Sequence, residues 1–425
     1  MMNNPAYRLR DLLFAVLFLF FSLVAPHAFA EQAATRAVMI SPDPSIKIGK
    51  LSNGLSYYIK RNAIPKNQVE MRLAVKYGSI DEAETERGAA HFIEHLVFRN
   101  SRQFKSDSLV PMFGNLGLKI GENLRASTHH EKTVYSLSLP SNHDQQVKMA
   151  LDGLAAIASG ARFLSEDVEG EMSIIDQEQQ IRENYSYRST ETMLDFYFRG
   201  TPHAKRMPIG VREIRRTFTA PMLQKLYDQH YRADRMALVV VGNVDAAAVL
   251  RQLERQFSSI PRAEQSYHRP ATRLPVYEKA ELQLMSDAQQ VGHEMQIPLS
   301  IRTFEISRNE GELKKEWAHR IYFKLMNQRL HGSLNYKQAR LNQTEIIDNL
   351  EAVNLYLSFD SNALKAIEDV SRTLKQVDEK GFLPQELDDI RLDLINQFEQ
   401  IYRERDKIGS DQYADRALNH FLYVY

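Results

Sequence analysis

The chain has 425 residues, more than one hydrophobic core usually serves, so we expect two domains or more. Its formal net charge is zero and 25% of its residues are charged, which excludes the basic composition typical of nucleic-acid-binding proteins. The sequence contains no cysteine, which excludes disulfides and thiolate metal ligands. Any zinc bound by this chain must therefore use histidine and carboxylate ligands.

The first thirty residues have the pattern of a secretory signal peptide. Arg8 and Arg10 precede an apolar run over residues 12–25, and small residues follow as a cleavage site ending at Ala30. The run is short for a membrane span, so an uncleaved anchor is the less favoured interpretation. We predict a signal peptide at residues 1–30, cleavage after Ala30, a periplasmic or secreted protein, and no membrane span after cleavage.

Residues 51–98 predict a hairpin, a strand and a helix in that order. Asn53-Gly54 lies between apolar residues, which signals a hairpin whose return strand covers residues 57–60. Apolar and polar side chains alternate over residues 69–77, which predicts a half-buried strand. An acidic loop then leads to an apolar helix over residues 88–98.

That helix carries the pattern H-x-x-E-H, the inverted form of the common H-E-x-x-H zinc helix. His91 and His95 are four residues apart, so both imidazoles leave one face of the helix, and Glu94 lies over the same face. Such residues can also form a solvated helix face, but the flanking side chains here are almost all apolar, and buried polar groups need partners. A zinc ion with two imidazole ligands needs a third protein ligand and leaves a position for water, whose proton a neighbouring carboxylate can accept.

The rest of the chain alternates between helices and strands, with a break rich in proline and polar residues at residues 261–275. This break is the best domain boundary, so we predict domains at residues 31–265 and 266–425. Periodicity predicts helices over residues 108–116, 147–158, 165–184, 246–257, 316–330, 361–380 and 384–405, and strands over residues 133–139, 236–241 and 355–357.

The predicted helix over residues 165–184 is the place to look for the third ligand. Glu171 and Glu178 are seven residues apart, about two turns, so they share a face. One inward carboxylate there can bind the metal and another can orient a ligand. For Glu169, Asp176 and Glu183 a solvated position is the simpler interpretation.

Several of these stretches, in order, resemble the pitrilysin–insulinase family of zinc peptidases, which includes mitochondrial processing peptidase. The first hairpin, the approach to the H-x-x-E-H helix and the stretches at residues 206–210 and 236–245 are all similar to family landmarks. The resemblance is to periplasmic bacterial members above all. It is strong over residues 45–265 and weak over residues 266–425.

This resemblance implies a role for each site residue. His91, His95 and Glu178 would bind Zn2+, Glu171 would orient a ligand from behind, and Glu94 would be the general base. The chain would then be a zinc metalloendopeptidase acting on peptides or unfolded protein segments, which would add as a strand to a sheet edge. A site of two histidines and one glutamate also accepts manganese or cobalt.

The resemblance also implies an α+β fold with two consecutive domains, each a mostly antiparallel sheet packed with helices, the second domain being non-catalytic. The sequence departs from the family pattern in three ways. The stretch from His95 to Glu178 is longer than in the best-known members, and Arg125-Ala126 stands where many members have Asn-Ala. The chain also corresponds to one half of the full-size periplasmic members and stops within a predicted helix.

A second hypothesis follows from that length. The chain can be an inactive or partner-dependent half, a truncated remnant or pseudo-protease, which binds metal or peptide without cleaving alone. A homodimer or a complementary second half would then complete it. A third interpretation, a chance H-x-x-E-H in an unrelated helical protein, requires every other likeness to be accidental.

Overall fold

The computed structural model describes residues 39–104, 109–264, 281, 283–290, 292–303, 307–347, 350–360 and 362–424. The predicted signal peptide and most of the predicted boundary stretch lie outside these residues. The described chain forms two compact units. The first unit contains the described residues of 42–264 together with 406–424, and the second contains those of 39–41 and 281–405.

Both units contain strands and helices. The strands are β1 (Ile46–Lys50), β2 (Ser56–Arg61), β3 (Val69–Val75), β4 (Leu124–Thr128), β5 (Thr133–Leu139), β6 (Met236–Gly242), β7 (His293–Thr303), β8 (Gln338–Ile347) and β9 (Leu350–Phe359). The α-helices are α1 (Ala89–Leu96), α2 (Leu109–Gly114), α3 (Asp144–Ala155), α4 (Ser165–Arg182), α5 (Tyr185–Tyr197), α6 (Arg212–Arg215), α7 (Ala220–His230), α8 (Ala246–Phe257), α9 (Glu310–Arg329), α10 (Ala363–Lys380), α11 (Pro384–Arg403) and α12 (Ser410–Val424). None of the helices in the described ranges has the length and apolar content needed to cross a membrane.

The first unit is built on a six-stranded sheet with the order β1-β2-β6-β3-β5-β4. Neighbouring strands are antiparallel except β2 and β6, which are parallel. One face of this sheet packs on helices that include α1, α3, α7 and α8, and together they form the main core. Strand β4 lies at one edge of the sheet, where it has a described neighbour on one side only.

Strand β3 is buried on both faces, although its sequence alternates between apolar and polar residues. One face joins the main core, and α12 covers the other, where Phe421 packs in a smaller cluster with Ala74. The polar side chains of that face form hydrogen bonds with partners inside the protein. Arg72 donates to Glu70 at 2.7 Å and to Asp415 of α12 at 3.3 Å. The half-buried prediction is therefore wrong, because the alternation reflects a paired polar network and not solvent.

Helix α12 belongs to the first unit, whereas the sequence analysis assigned all of residues 266–425 to the second domain. The division differs because the apolar stripe of α12 packs on the six-stranded sheet. The start of the helix is also fixed there, since the Ser410 N–H donates to the Ile64 carbonyl at 2.7 Å. Asn62 donates to the Ile408 carbonyl at 3.0 Å.

The second unit is a three-stranded antiparallel sheet, with the order β7-β9-β8, packed by α9 and α10. Leu341, Leu355 and Leu357 from the strands meet Met326 and Val370 from the helices in its core. Helix α11 packs against α9. Both units are therefore sheets with mostly antiparallel pairing and helical layers, which agrees with the predicted α+β class.

Candidate metal centre

Helix α1 carries the H-x-x-E-H residues and is buried along nearly its whole length. A buried carboxyl group caps its N-terminus: Glu82 accepts hydrogen bonds from the N–H groups of Gly88 at 2.9 Å and Ala90 at 2.8 Å. Gly88 has a φ of +103°, and a Cβ there would lie 3.1 Å from the backbone of Gly210. The close approach of these two glycines therefore fixes where α1 begins.

Three ligand atoms meet between α1 and α4. The Nε2 atom of His91 lies 3.5 Å from Oε2 of Glu178, and the Nε2 atom of His95 lies 3.4 Å from the same oxygen. One ligand atom from each of the three side chains lies within 4.8 Å of the other two. Two imidazole nitrogens and a carboxylate oxygen are the donor set of a catalytic zinc site with an open fourth position. The predicted third ligand is therefore beside the two histidines.

His91 has the charge state that a metal ligand needs. Burial, followed by the neighbouring His95, lowers the pKa of His91 to about 3, so its imidazole is neutral. Its Nδ1 atom is buried and has no hydrogen-bond partner in the described part of the chain. Its Nε2 atom faces Glu178, so the ring offers a lone pair toward the place where the ligand atoms converge.

His95 is held by two carboxylates. Its Nδ1 lies 3.1 Å from Oε2 of Glu171, on the side of the ring away from Glu178. Burial opposes a charge on this ring, but the hydrogen bonds to Glu171 and Glu178 raise the pKa of His95 to about 9. When a metal occupies the Nε2 side, the Nδ1–H can remain on Glu171, which is the usual way a carboxylate orients a ligating histidine.

Arg99 in turn fixes the position of the Glu171 carboxylate. The Nε and Nη2 groups of Arg99 both bond Oε1 of Glu171, and the Glu171 side chain is only 3% exposed. Burial opposes ionisation, but the hydrogen bonds from His95 and Arg99 hold the pKa of Glu171 below its usual value. Arg99 therefore keeps this carboxylate charged and pointed at His95.

The two carboxylate oxygens of Glu178 have different partners: one faces the histidines and the other contacts an arginine. Oε2 faces His91 and His95, while Oε1 accepts from Arg182 at 2.5 Å, one helical turn further along α4. Burial opposes ionisation, but the hydrogen bond from His95, the neighbouring His91 ring and the Arg182 cation lower the pKa of Glu178 to about 2. A single oxygen of Glu178 is thus turned toward the site.

Glu94 lies on the same face of α1 as the histidines and is 7% exposed. Its Oε2 accepts a hydrogen bond of 2.7 Å from the Thr128 hydroxyl, at the end of the edge strand β4. Burial raises the pKa of Glu94, and the Thr128 hydrogen bond opposes that rise. A raised pKa makes a carboxylate a stronger base, which suits a group that accepts a proton and gives it back.

Helix α4 is anchored by an arginine that is fully buried. Arg215 donates to Asp176 at 2.9 Å, to Gln179 at 2.7 Å and to the Ile209 carbonyl at 2.7 Å. Asp176 is therefore not a solvated residue, and that interpretation is wrong, because the ion pair with Arg215 requires it to face inward. Glu169 and Glu183 are exposed, in agreement with the sequence analysis.

The edge strand places its residues on alternating faces. Thr128 contacts Glu94 on the α1 side, so Arg125, three residues earlier, lies on the opposite face of the sheet. Its guanidinium donates to the Glu122 carbonyl at 2.9 Å. The adjacent His129 and His130 follow β4 in a loop, and their carbonyls accept the N–H groups of residues 79 and 80.

Three residues of the site were not found from the sequence. Arg99 is four residues after His95, and Arg182 is four residues after Glu178, so helical spacing alone contains the signal for both. Thr128 has no such signal, because it reaches Glu94 from a separate strand through the register of β4 beside α1.

Two family models match the chain, each over one stretch, and curated relatives align with most of it. Residues 57–207 match the model of insulinase (peptidase family M16), and residues 217–303 match the model of the inactive domain of peptidase family M16. The probable zinc protease PqqL of Haemophilus influenzae is 27% identical over 384 residues, which cover 88% of this chain and 41% of that protein. The probable zinc protease PqqL of Escherichia coli is 24% identical over 400 residues, which cover 91% of this chain and 43% of that protein. The chain thus spans about two fifths of the length of these curated relatives.

Solved structures share the fold. The crystal structure of the periplasmic protease PqqL from Escherichia coli superposes with a TM-score of 0.81 at 22% identity, covering 91% of this chain and 43% of that one. The crystal structure of pitrilysin superposes with a TM-score of 0.66 at 18% identity, covering 92% of this chain and 43% of that one. The predicted α+β architecture is confirmed by both.

Proposed function

This chain belongs to the insulinase family of peptidases (family M16), and from that premise we propose that it is a zinc-dependent endopeptidase. The observation that carries the proposal is the convergence of His91, His95 and Glu178 on one point, with Glu94 on the same helix face. The curated relatives are named probable zinc proteases, which supports zinc as the metal.

The chemistry divides between the metal and the chain. Bound by His91, His95 and Glu178, zinc would polarise a scissile carbonyl and acidify a water. Glu94 accepts the proton of the attacking water on its carboxylate and returns it to the leaving amine. The Thr128 hydrogen bond holds one oxygen of Glu94, which leaves the other oxygen for the proton.

The edge strand β4 supports a peptide substrate in extended form. Among the described strands β4 pairs only with β5, apart from a bridge between Leu124 and Ile120 at its start, and its last residue contacts Glu94. A peptide that added to this edge as a further strand would bring its backbone to the candidate site through main-chain hydrogen bonds. An unfolded or flexible segment can adopt that conformation, so we propose peptides and unfolded protein segments as substrates.

The test is metal content and peptide cleavage by the purified chain from Glu31 onward. Glu94→Gln keeps all three ligands and removes the base, so it should bind one zinc per chain and lose about 100-fold or more in kcat. Glu169→Gln, an exposed change on α4, is the matched control and should behave as wild type. A wild-type chain that binds no zinc would refute the assignment of the three ligands.

The second candidate function is a partner-dependent half that binds metal or peptide but cleaves only with a second copy or a complementary half. The chain spans about two fifths of its curated relatives, which favours this candidate. The same experiment separates the two functions. Zinc binding without cleavage by wild type or variant would support the partner-dependent half and refute the self-sufficient enzyme.

We also propose a periplasmic location after cleavage at Ala30. The support is the pattern of residues 1–30 together with a structural relative described as a periplasmic protease. The N-terminal sequence of the protein recovered from a periplasmic extract tests this, since it should begin at Glu31.

A further inference from the structure

Helix α11 in the second unit exposes more apolar surface than a solvated helix usually does. Its buried contacts come from Ile390 and Leu394, which pack with Leu325 of α9. Its other large apolar side chains are exposed by these fractions: Leu387 44%, Leu392 60%, Ile395 46%, Phe398 40%, Ile401 53% and Tyr402 66%. Single exposed apolar residues are ordinary, but a contiguous set on one helix marks an interaction surface.

Leu392, Ile395, Phe398 and Tyr402 share one side of the helix, which continues into a groove, whereas Leu387 and Ile401 lie nearer to the side that packs on α9. Residues 388, 391, 395, 398 and 402 follow one another at alternating intervals of three and four, as do the residues in the seam of a coiled coil. Beside these residues, Trp317 of α9 meets Phe398 edge to face, with ring centroids 4.6 Å apart. A groove of about 580 Å³ lies between the two helices there.

The charges of α11 are sorted between its two sides. Asp393 pairs with Lys324 of α9 at 3.0 Å, and Glu386 pairs with Arg329 of α9 at 2.7 Å. These acids face α9 and are neutralised by it. On the exposed side, the charged residues are three acids and two bases: Asp388, Asp389, Glu399, Arg391 and Arg403. Within the helix, Arg403 donates to Glu399 at 2.9 Å, so an arginine of a partner would share this carboxylate with Arg403.

We propose that this exposed side, which we call the α11 stripe (Asp388, Arg391, Leu392, Ile395, Phe398, Glu399 and Tyr402), binds the same stripe of a second copy of the chain. The two helices pack antiparallel across a two-fold axis at Ile395. In an isologous contact, positions equally far from the axis face each other.

The sequence of the stripe is self-complementary about that axis. Arg391 and Glu399 each lie four residues from Ile395, so each arginine faces a glutamate of the partner, twice per dimer. Leu392 and Phe398 each lie three residues away, so an apolar pair flanks the central isoleucines on both sides. Asp388 and Tyr402 each lie seven away, which puts a carboxylate opposite a phenol.

A membrane surface fits this helix less well. Amphipathic helices that lie on anionic lipids carry lysine and arginine on their polar face. The α11 sequence contains five acidic residues and two arginines, so anionic lipid headgroups would repel it. The pairing of opposite charges within the stripe itself favours a copy of the same stripe.

Because the chain has no cysteine, one introduced thiol reports the contact directly. Ile395→Cys places two thiols at the axis of the dimer, and mild oxidation should convert most of the protein to a covalent dimer. Lys375→Cys on α10, whose side chain is 65% exposed, is the matched control and should stay monomeric on a non-reducing gel. Equal cross-linking of the two variants would overturn the inference.

Charge exchange tests the orientation of the two helices. Sedimentation equilibrium should show a wild-type dimer that dissociates on dilution. Arg391→Glu alone faces acid with acid, and Glu399→Arg alone faces base with base, so each should dissociate at least ten-fold more readily. An equimolar mixture of the two variants restores both ion pairs and should recover the wild-type association.

Two results would overturn the inference. One is a wild-type chain that stays monomeric at high concentration, whether or not it floats with vesicles of phosphatidylethanolamine and phosphatidylglycerol. The other is a pair of charge variants that associate as wild type alone, or fail to associate when mixed. The cross-linking and sedimentation measurements need no peptidase activity, so their outcome does not depend on the proposed function.

Discussion

The hydrogen bond between Thr128 and Glu94 allows the proposed base to be tested with the metal ligands untouched. Thr128→Val replaces the hydroxyl by a methyl group of the same size, so the strand keeps its packing and loses one donor. Glu94 is 7% exposed, so solvent cannot replace that donor easily. A hydrogen bond to a buried charged group is worth about 1.5–3 kcal/mol, which corresponds to a loss of roughly 10- to 100-fold in kcat if Glu94 depends on it for its orientation.

The assay is steady-state cleavage of a fluorogenic unstructured peptide, with zinc content measured on the same samples. We expect kcat to fall and KM and zinc stoichiometry to stay unchanged, because Thr128 contacts the base and none of the three ligands. Thr128→Ser keeps the hydroxyl and should restore most of the rate. Ser127→Ala changes the neighbouring residue, which faces the other side of the sheet, and should be neutral. A Thr128→Val chain with wild-type kcat, or a Thr128→Ser chain as slow as it, would refute this reasoning.

Three further outcomes follow from the contacts around α1 and α4. Glu171→Gln should weaken zinc binding about 10- to 100-fold in a chelator competition, because it removes the carboxylate that orients His95. Asp176→Asn should lower the free energy of unfolding in urea by roughly 3 kcal/mol, because it leaves the fully buried Arg215 without its anion; an unchanged midpoint would show that Gln179 suffices. Burial raises the pKa of Glu82 to about 8. Above pH 4.5 the unfolded chain has released this proton while the folded chain still binds it, so the free energy of unfolding should fall as pH rises through 8. Glu82→Gln should remove that slope in urea unfolding measured between pH 6 and pH 9.

The H-x-x-E-H helix and its burial could be predicted because their evidence is local. The spacing of His91 and His95 and the apolar residues around them need no knowledge of the rest of the fold. Helical spacing also limited the third ligand to one face of α4, but the choice of Glu178 over Glu171 came from the family resemblance. In the structure the two carboxylates lie on opposite sides of the His95 ring, which spacing alone cannot reveal.

The features that were not predicted depend on contacts between distant segments. Thr128 reaches Glu94 only because β4 is registered beside α1, and no residue pattern encodes that register. The double burial of β3 was hidden because Arg72 and Glu70 pair with each other and resemble a solvated face. Helix α12 has the amphipathic pattern of any surface helix, and nothing in that pattern says which sheet it covers.

The return of α12 to the six-stranded sheet makes the second unit an insertion within the first. Strand β6 ends at Gly242 and α12 begins at Ser410, so the chain of the second unit lies between the last strand of the sheet and the helix that covers it. Until α12 packs on the sheet, Ala74, Val239 and Val241 lack the apolar cover that Phe421 provides. Closure of the first unit therefore depends on contacts between segments that are distant in the sequence, and such contacts form slowly during folding.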